Sequence, residues 1–262
     1  MDKDEISAAL ADLPLGGLRF FGSIGSTNDE ALAWAVDGAQ DLSMVVADEQ
    51  TAGRGRSGNK WHTPAGAALA LSIVLRPTAL ERTVPGRITG LGALALFQCC
   101  ADLGIEAQIK WPNDLLLNGR KAAGILVESA WAGNVLDASV LGIGLNVGQA
   151  AVPPAGQLTF PATSLEHEVG FPLERVKLLK EIVAALIAWR SQIATRDFIL
   201  AWENSLAFRG EQVLIGRDGE RLLNGRLLGL EPDGSLRLMA DEMPTIVHFG
   251  EIHLRPTDDR IG

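Results

Sequence analysis

The chain lacks the spaced cysteines of a disulfide scaffold. Its two cysteines, Cys99 and Cys100, are adjacent in an apolar run. Neighbouring thiols rarely bridge, so the pair predicts two small buried residues of a helix in a protein of a reducing compartment. A basic excess is also missing. The formal net charge is -9, which argues against a general nucleic-acid binder and leaves room for a local basic loop on a small anion. The apolar run at 65–75 is too short to cross a bilayer. Met1-Asp2-Lys3-Asp4-Glu5 is not a basic lead into an apolar segment. These absences predict a cytoplasmic protein with no nucleic acid and no membrane among its partners. Several catalytic signatures are missing as well. His167-Glu168 has no second histidine at zinc-protease spacing, and no P-loop or serine nucleophile elbow occurs. There are no tandem repeats.

What is present is a globular composition, 47% hydrophobic and 21% charged over 262 residues. That length suits one large domain, or a medium one with a small one attached. Strands are predicted at 18–22, 42–48 and 67–75, the last a continuous apolar run. Thr27-Asn28-Asp29-Glu30 reads as a capping box opening a helix at 29–36. Residues 1–17 are expected to be irregular with one helical turn around 5–13, and further helices are expected at 85–103, 172–193 and 197–205. Leu115–Leu117, Asn118-Gly119 and Lys121–Glu128 read as a hairpin, because Asn-Gly accepts the positive φ of a type I′ turn. A long strand follows at 135–147, then a Pro/Gly/Ala-rich loop at 149–161. After Phe208, Asp218-Gly219, Asn224-Gly225 and Asp233-Gly234 punctuate short alternating segments, the pattern of a small antiparallel barrel. A boundary near Arg209 divides the chain into residues 1–208 and 209–262.

The densest chemical signal is Gln50-Thr-Ala-Gly-Arg-Gly-Arg-Ser-Gly-Asn-Lys-Trp61. Glycine lets a backbone pass close to a ligand, and arginine offers a permanent charge with a forked donor. The segment is expected to fold over an anion, with Trp61 as a flat apolar surface. Gly53–Gly58 matches the dinucleotide pattern G-x-G-x-x-G, but no helix opens after its third glycine, which counts against a dehydrogenase. Lys110-Trp-Pro-Asn-Asp114 places an amide and a carboxylate beside the hairpin. Mg²⁺ bound to substrate phosphates could use such a pair, although alone it is an ordinary turn. Arg120 and Lys121 open the return strand beside small residues. Gly142 and Gly144 interrupt a strand, as happens where a ligand comes close.

Five segments, taken in order, resemble the biotin protein ligases. They are Gly25-Ser-Thr-Asn28, Gln50–Arg56, Lys110–Asp114, Arg120-Lys-Ala-Ala-Gly-Ile-Leu-Val-Glu128 and Gly142-Ile-Gly-Leu-Asn-Val147. The resemblance runs from about residue 18 to the C-terminus. It implies an α+β fold, with a mixed β-sheet flanked by helices (a class II synthetase-like catalytic domain) in 1–208 and a small SH3-like β-barrel in 209–262. It further implies that biotin and MgATP give biotinyl-5′-AMP, and that biotin passes to a lysine of a biotin carboxyl carrier protein domain. By position, Ser26, Thr27, Asn28 and Gln50 would meet the biotin ring. Gly53, Arg54 and Gly55 would surround its carboxylate side, and Gly124, Ile125, Gly142 and Gly144 would line an apolar pocket. Arg56 and Lys121 would be the catalytic cations, touching both biotin and the nucleotide. Trp61, Asn113, Asn146 and Arg255 would contact ATP or the adenylate, and Asp114 would face the metal. Asn59 departs from the arginine common at that place in the family. No segment before Leu18 is long enough for the DNA-binding domain that some members carry, so a monofunctional enzyme is expected, as monomer or homodimer. The loop 53–61 is expected to order over the adenylate and shield it from water. A lipoate or octanoyl ligase and a non-catalytic biotin sensor are the competing readings.

Overall fold

A computed structural model describes residues 1–154, 156, 160–216, 223–248 and 253–257, with the side chains of His253 and Arg255 outside that description. Seven strands form one mixed sheet: β1 (Gly17–Ile24), β2 (Ser43–Gln50), β3 (Ala68–Leu75), β4 (Ala107–Lys110), β5 (Asp114–Leu117), β6 (Arg120–Ala132) and β7 (Val135–Asn146). Their spatial order is β1-β2-β3-β7-β6-β5-β4. Only β1 and β2 pair in parallel. A parallel pair needs a crossover, and α2 (Thr27–Val36) supplies it. The helices α1 (Lys3–Ala9), α3 (Arg87–Asp102), α4 (Leu165–Val169), α5 (Arg175–Arg190) and α6 (Arg196–Asn204) complete the α part.

Strand β3 shows how the layers arise. Every residue of it is buried, because helices cover both faces. With a period of two, Leu69, Leu71 and Ile73 join Leu91 and Leu94 of α3 in the main core. Val74 points the other way and packs with Ala31 and Ala35 of α2. Ser72 shares that second face, fully buried, beside the first turn of α2. Cys99 and Cys100 lie buried in α3, as expected. Burial pushes the Cys100 thiol up to about 12 and Cys99 higher still, so neither ionises at neutral pH.

The hairpin forms as its sequence predicts. Asn118 (φ 47°) and Gly119 (φ 72°) make the turn, and Leu117 pairs with Arg120 across it. The capping box does not. Helix α2 begins one residue earlier than that pattern requires, with Ser26 at the N-cap and no side-chain cap bond. The Thr27 amide instead donates to Gln50 Oε1 at 2.8 Å, so a side chain from β2 satisfies the helix end.

Beyond Arg209 lies a separate five-stranded antiparallel sheet in the order β11-β10-β9-β8-β12, built from β8 (Gln212–Gly216), β9 (Leu223–Leu230), β10 (Leu236–Ala240), β11 (Met243–Val247) and β12 (His253–Pro256). Asp233-Gly234 turns as expected, with the Ser235 amide donating to Asp233 Oδ1. Asn224-Gly225 does not turn; it lies within β9 and pairs with Leu214 and Val213. Asp218-Gly219 lies outside the described residues. The small sheet touches the larger one where it matters for the site. Trp111 Nε1 donates to Gly234 O at 3.0 Å, and the buried Arg87 donates to Pro232 O at 2.7 Å.

Candidate functional site

The face of the large sheet that carries Ser72 also carries Gly142 and Gly144 of β7 and Gly124 of β6. Register places Ser72 beside Gly142, and Gly124 beside Gly144. Without side chains there, the sheet is low enough for other groups to lie on it. Two do so. The Asn28 amide rests on Gly142 and the Trp61 indole rests on Gly144, so close that a Cβ at either glycine would collide with it. These glycines were expected to make room for a ligand directly. In the structure they first make room for two side chains that shape the ligand space.

A cavity of about 950 Å³ opens over this floor. Every expected site residue with a described side chain borders it: Ser26, Thr27, Asn28, Gln50, Gly53, Arg54, Gly55, Arg56, Trp61, Asn113, Asp114, Lys121, Gly124, Ile125, Gly142, Gly144 and Asn146. The Arg255 side chain lies outside the described residues, although Leu254 next to it lines the cavity.

Along and behind one side of the cavity runs a hydrogen-bonded chain. Gln50 Nε2 donates to Thr63 Oγ1, and Gln50 Oε1 accepts from the Thr27 amide, with the Thr27 hydroxyl 3.1 Å away. The Ser72 hydroxyl lies 2.8 Å from Thr27 Oγ1 and 2.6 Å from Asn28 Oδ1. Asn28 Nδ2 donates to Glu128 Oε2 at 2.8 Å and to Leu126 O at 3.3 Å. Arg54 forks onto both oxygens of Glu128, at 3.0 and 2.8 Å, and also pairs with Asp29. Burial works against the Arg54 charge, but Glu128 and Asp29 outweigh it and hold its pKa above the usual arginine value. Arg54 therefore borders the cavity with its guanidinium bound to protein carboxylates.

The other side is cationic. Lys121 Nζ lies 2.6 Å and Lys110 Nζ 3.2 Å from the two oxygens of Asp114. Two ammonium groups thus share one carboxylate, which leaves an excess of positive charge suited to an anion. Burial raises the Asp114 pKa, but Lys121 and Lys110 lower it more, so it stays below the ordinary carboxylate value. Lys110 also lies 4.7 Å from the Phe160 ring centroid and Lys121 5.3 Å from that of Trp61. The Lys121 backbone is pinned by Pro161 O and by the Thr163 amide. Arg56 donates to Asn113 Oδ1 at 3.2 Å, while Asn113 Nδ2 donates to Ile125 O.

Three further placements bear on the expectations. Both oxygens of Asp114, the residue expected to face the metal, lie against lysines. Ile125 borders the cavity and is 1% exposed. The period of the strand turns it to the core, where it packs at Gly92 of α3. The loop after Gly53 is closed on itself: Trp61 N donates to Gly53 O at 2.9 Å, and Gly55 N to Asn59 O at 2.7 Å. Asn59 Nδ2 donates to Arg56 O, so the residue that departs from the family's arginine braces the loop from within. Asn146 Nδ2 donates to Thr163 O at 3.0 Å.

Sequence reasoning gave no role to Lys110, Ser72 or Glu128. Ser72 had one signal: it is the single polar residue in the apolar run 67–75.

The description "Biotin/lipoate A/B protein ligase family" matches residues 20–146. The biotin--[acetyl-CoA-carboxylase] ligase of Paracoccus denitrificans is 35% identical over 239 residues, covering 87% of this chain and 96% of the relative. The enzyme of the same name from Mycobacterium tuberculosis is 34% identical over 241 residues, covering 88% and 86%. Among solved structures, the biotin protein ligase from Aquifex aeolicus in complex with biotin and ATP superposes with a TM-score of 0.79 at 26% identity, covering 92% of this chain and 99% of that one.

Proposed function

The chain belongs to the biotin protein ligase family, and on that premise we propose how its site performs the reaction. The enzyme is a biotin–protein ligase. A biotin carboxylate oxygen attacks the α-phosphorus of ATP, the bond to the β-phosphate oxygen breaks, and biotinyl-5′-AMP and pyrophosphate form. An acceptor lysine amine of a biotin carboxyl carrier protein then attacks the biotinyl carbonyl, AMP leaves, and the amine loses its proton.

Both steps bring anionic groups together, so catalysis depends on positioning and on fixed positive charge. The observation that carries the assignment of roles is the Lys110–Asp114–Lys121 group facing the Gly/Arg loop across one cavity. Lys121 with Arg56 would hold the biotin carboxylate and the α-phosphate. Asp114 would keep Lys121 extended into the cavity, and Lys110 would add charge for the leaving pyrophosphate. Thr27, Gln50 and Ser26 offer hydrogen bonds to a polar ring. Asn113, Asn146 and Trp61 border the nucleotide side, with Arg255 as a further nucleotide contact. Magnesium would arrive on the ATP phosphates with its own water, a mode that needs few protein carboxylates. The five-stranded sheet from Gln212 onward fits an SH3-like barrel attached to a catalytic part ending near Phe208. Among the described residues no helix is long and apolar enough to cross a membrane. ATP use suits the cytoplasm.

The test is mass spectrometry of a biotin carboxyl carrier domain after incubation with the enzyme, biotin and MgATP. A single added biotinyl group on one lysine supports the reading. Equal or preferred transfer of lipoate in a competition arm, or no transfer at all, removes it.

A further inference from the structure

The contacts from Thr63 to Asp29 form one chain through Thr63, Gln50, Thr27, Ser72, Asn28, Glu128, Arg54 and Asp29; it is continuous when the Thr27 amide serves Gln50 Oε1, the Thr27 hydroxyl donates to Ser72 and the Ser72 hydroxyl donates to Asn28 Oδ1. Its members come from β2, α2, β3, β6 and the Gly/Arg loop. Ser72 is fully buried, and Thr27 and Asn28 are each 4% exposed, so a donor or acceptor left unmatched there has little water to replace it. The Glu128 side chain keeps 25% of its exposure, which places the Arg54 clasp at the cavity rim, where it can open. One end of the chain fixes the groups that face the bound ring. The other end fixes the arginine that anchors the loop.

We propose that Glu128 is a positioning residue that latches the Gly/Arg loop, through Arg54, to the same hydrogen-bonded chain that sets Thr27 and Gln50. Closing the loop and shaping the ring pocket are then one event. Ligand that orders Thr27 and Gln50 favours the latched loop, and a latched loop favours the ligand by the same factor. Glu128 makes no contact with the reacting atoms; it acts through Arg54 and Asn28. The ligand half of this inference rests on the biotin reading above, whereas the latch itself does not.

The experiment uses the full chain with Glu128→Gln and, separately, Ser72→Ala. Glutamine retains an oxygen for Asn28 and removes the charge that clasps Arg54. Hydrogen exchange is measured on the ligand-free proteins across residues 53–61 and, as an internal control, across β3. In Glu128→Gln the loop amides should exchange about tenfold faster, the loss expected of a charge-assisted pair, with β3 unchanged. KM for biotin should rise about tenfold while KM for ATP and kcat at saturating biotin stay within about twofold, the pattern of lost ground-state binding. Ser72→Ala should raise loop exchange in the same direction by a smaller factor. Loop exchange equal to wild type in Glu128→Gln, or β3 accelerated by the same factor as the loop, overturns the latch. A loosened loop with unchanged KM for biotin overturns the coupling. A loosened loop in an enzyme whose wild type fails to bind biotin removes the biotin reading and leaves the latch standing.

Discussion

The two walls of the cavity solve opposite problems. Along the wall of Thr27, Asn28 and Gln50, with Ser72 and Glu128 behind it, polar groups are matched to one another, and Arg54 is answered by Glu128 and Asp29. Along the wall of Lys110, Lys121 and Asp114, positive charge exceeds negative. A matched wall has its polar groups satisfied by protein before any ligand arrives and suits a neutral, hydrogen-bonding ring. An unmatched wall stores electrostatic potential that only an anion relieves. The difference assigns recognition to the first wall and chemistry to the second, and it can be attacked from either side.

The largest effect should come from the charged wall. Lys121→Ala should slow biotin-dependent ATP–pyrophosphate exchange by about 10²–10³-fold, the scale for removing one preorganised electrostatic contact. Exchange near the wild-type rate would erase the distinction between the walls. Asp114→Asn comes next. It strips both lysines of their counter-charge in a site where the carboxylate side chain is 10% exposed. Breaking a buried pair of this kind costs about 3 kcal/mol of stability. The melting temperature should fall and the exchange rate should drop by about tenfold or more as Lys121 loses its hold. The magnesium dependence should keep its midpoint; a large shift in that midpoint would mark Asp114 as a metal ligand.

On the matched wall, Ser72→Ala leaves the Asn28 carbonyl oxygen without its donor, a loss of about 1–3 kcal/mol at a buried group. Biotin affinity should weaken about tenfold with ATP affinity little changed, as read by titration calorimetry. The smallest effect is that of pH. Asp114 has a folded-state pKa below its unfolded value, so its contribution to stability is fully present above about pH 4 and is lost only as pH falls through the lower folded value. Between pH 5 and 8 this pair should add no slope to stability, and urea titrations across that range test it.

Local chemistry was legible wherever few residues decide the outcome. Asn118-Gly119 fixed its turn from two positions, and Asp233-Gly234 did likewise. The Gly/Arg loop and Lys110–Asp114 announced an anion site through residue type alone. What escaped was set by distant partners. Thr27 looked like an N-cap, yet its amide is met by Gln50, whose position depends on the pairing of β2 with β1 and β3. Ile125 sat among pocket residues in sequence, and strand periodicity turned it to the core. That Lys110 and Lys121 flank Asp114 was also hidden, because the pairing of β4, β5 and β6 brings the three together. Ser72 became meaningful only once register brought it beside Gly142 and α2 laid Asn28 above both. The Asn224-Gly225 pair failed as a turn for the same reason: β8 lies alongside and claims it as strand.

The contrast between the walls is tested most directly by biotin titration calorimetry on Lys121→Ala and Ser72→Ala side by side. The account predicts biotin affinity about tenfold weaker in Ser72→Ala, and in Lys121→Ala, where Arg56 still meets the biotin carboxylate, a smaller loss of affinity. Affinity lost in Lys121→Ala and retained in Ser72→Ala would contradict it.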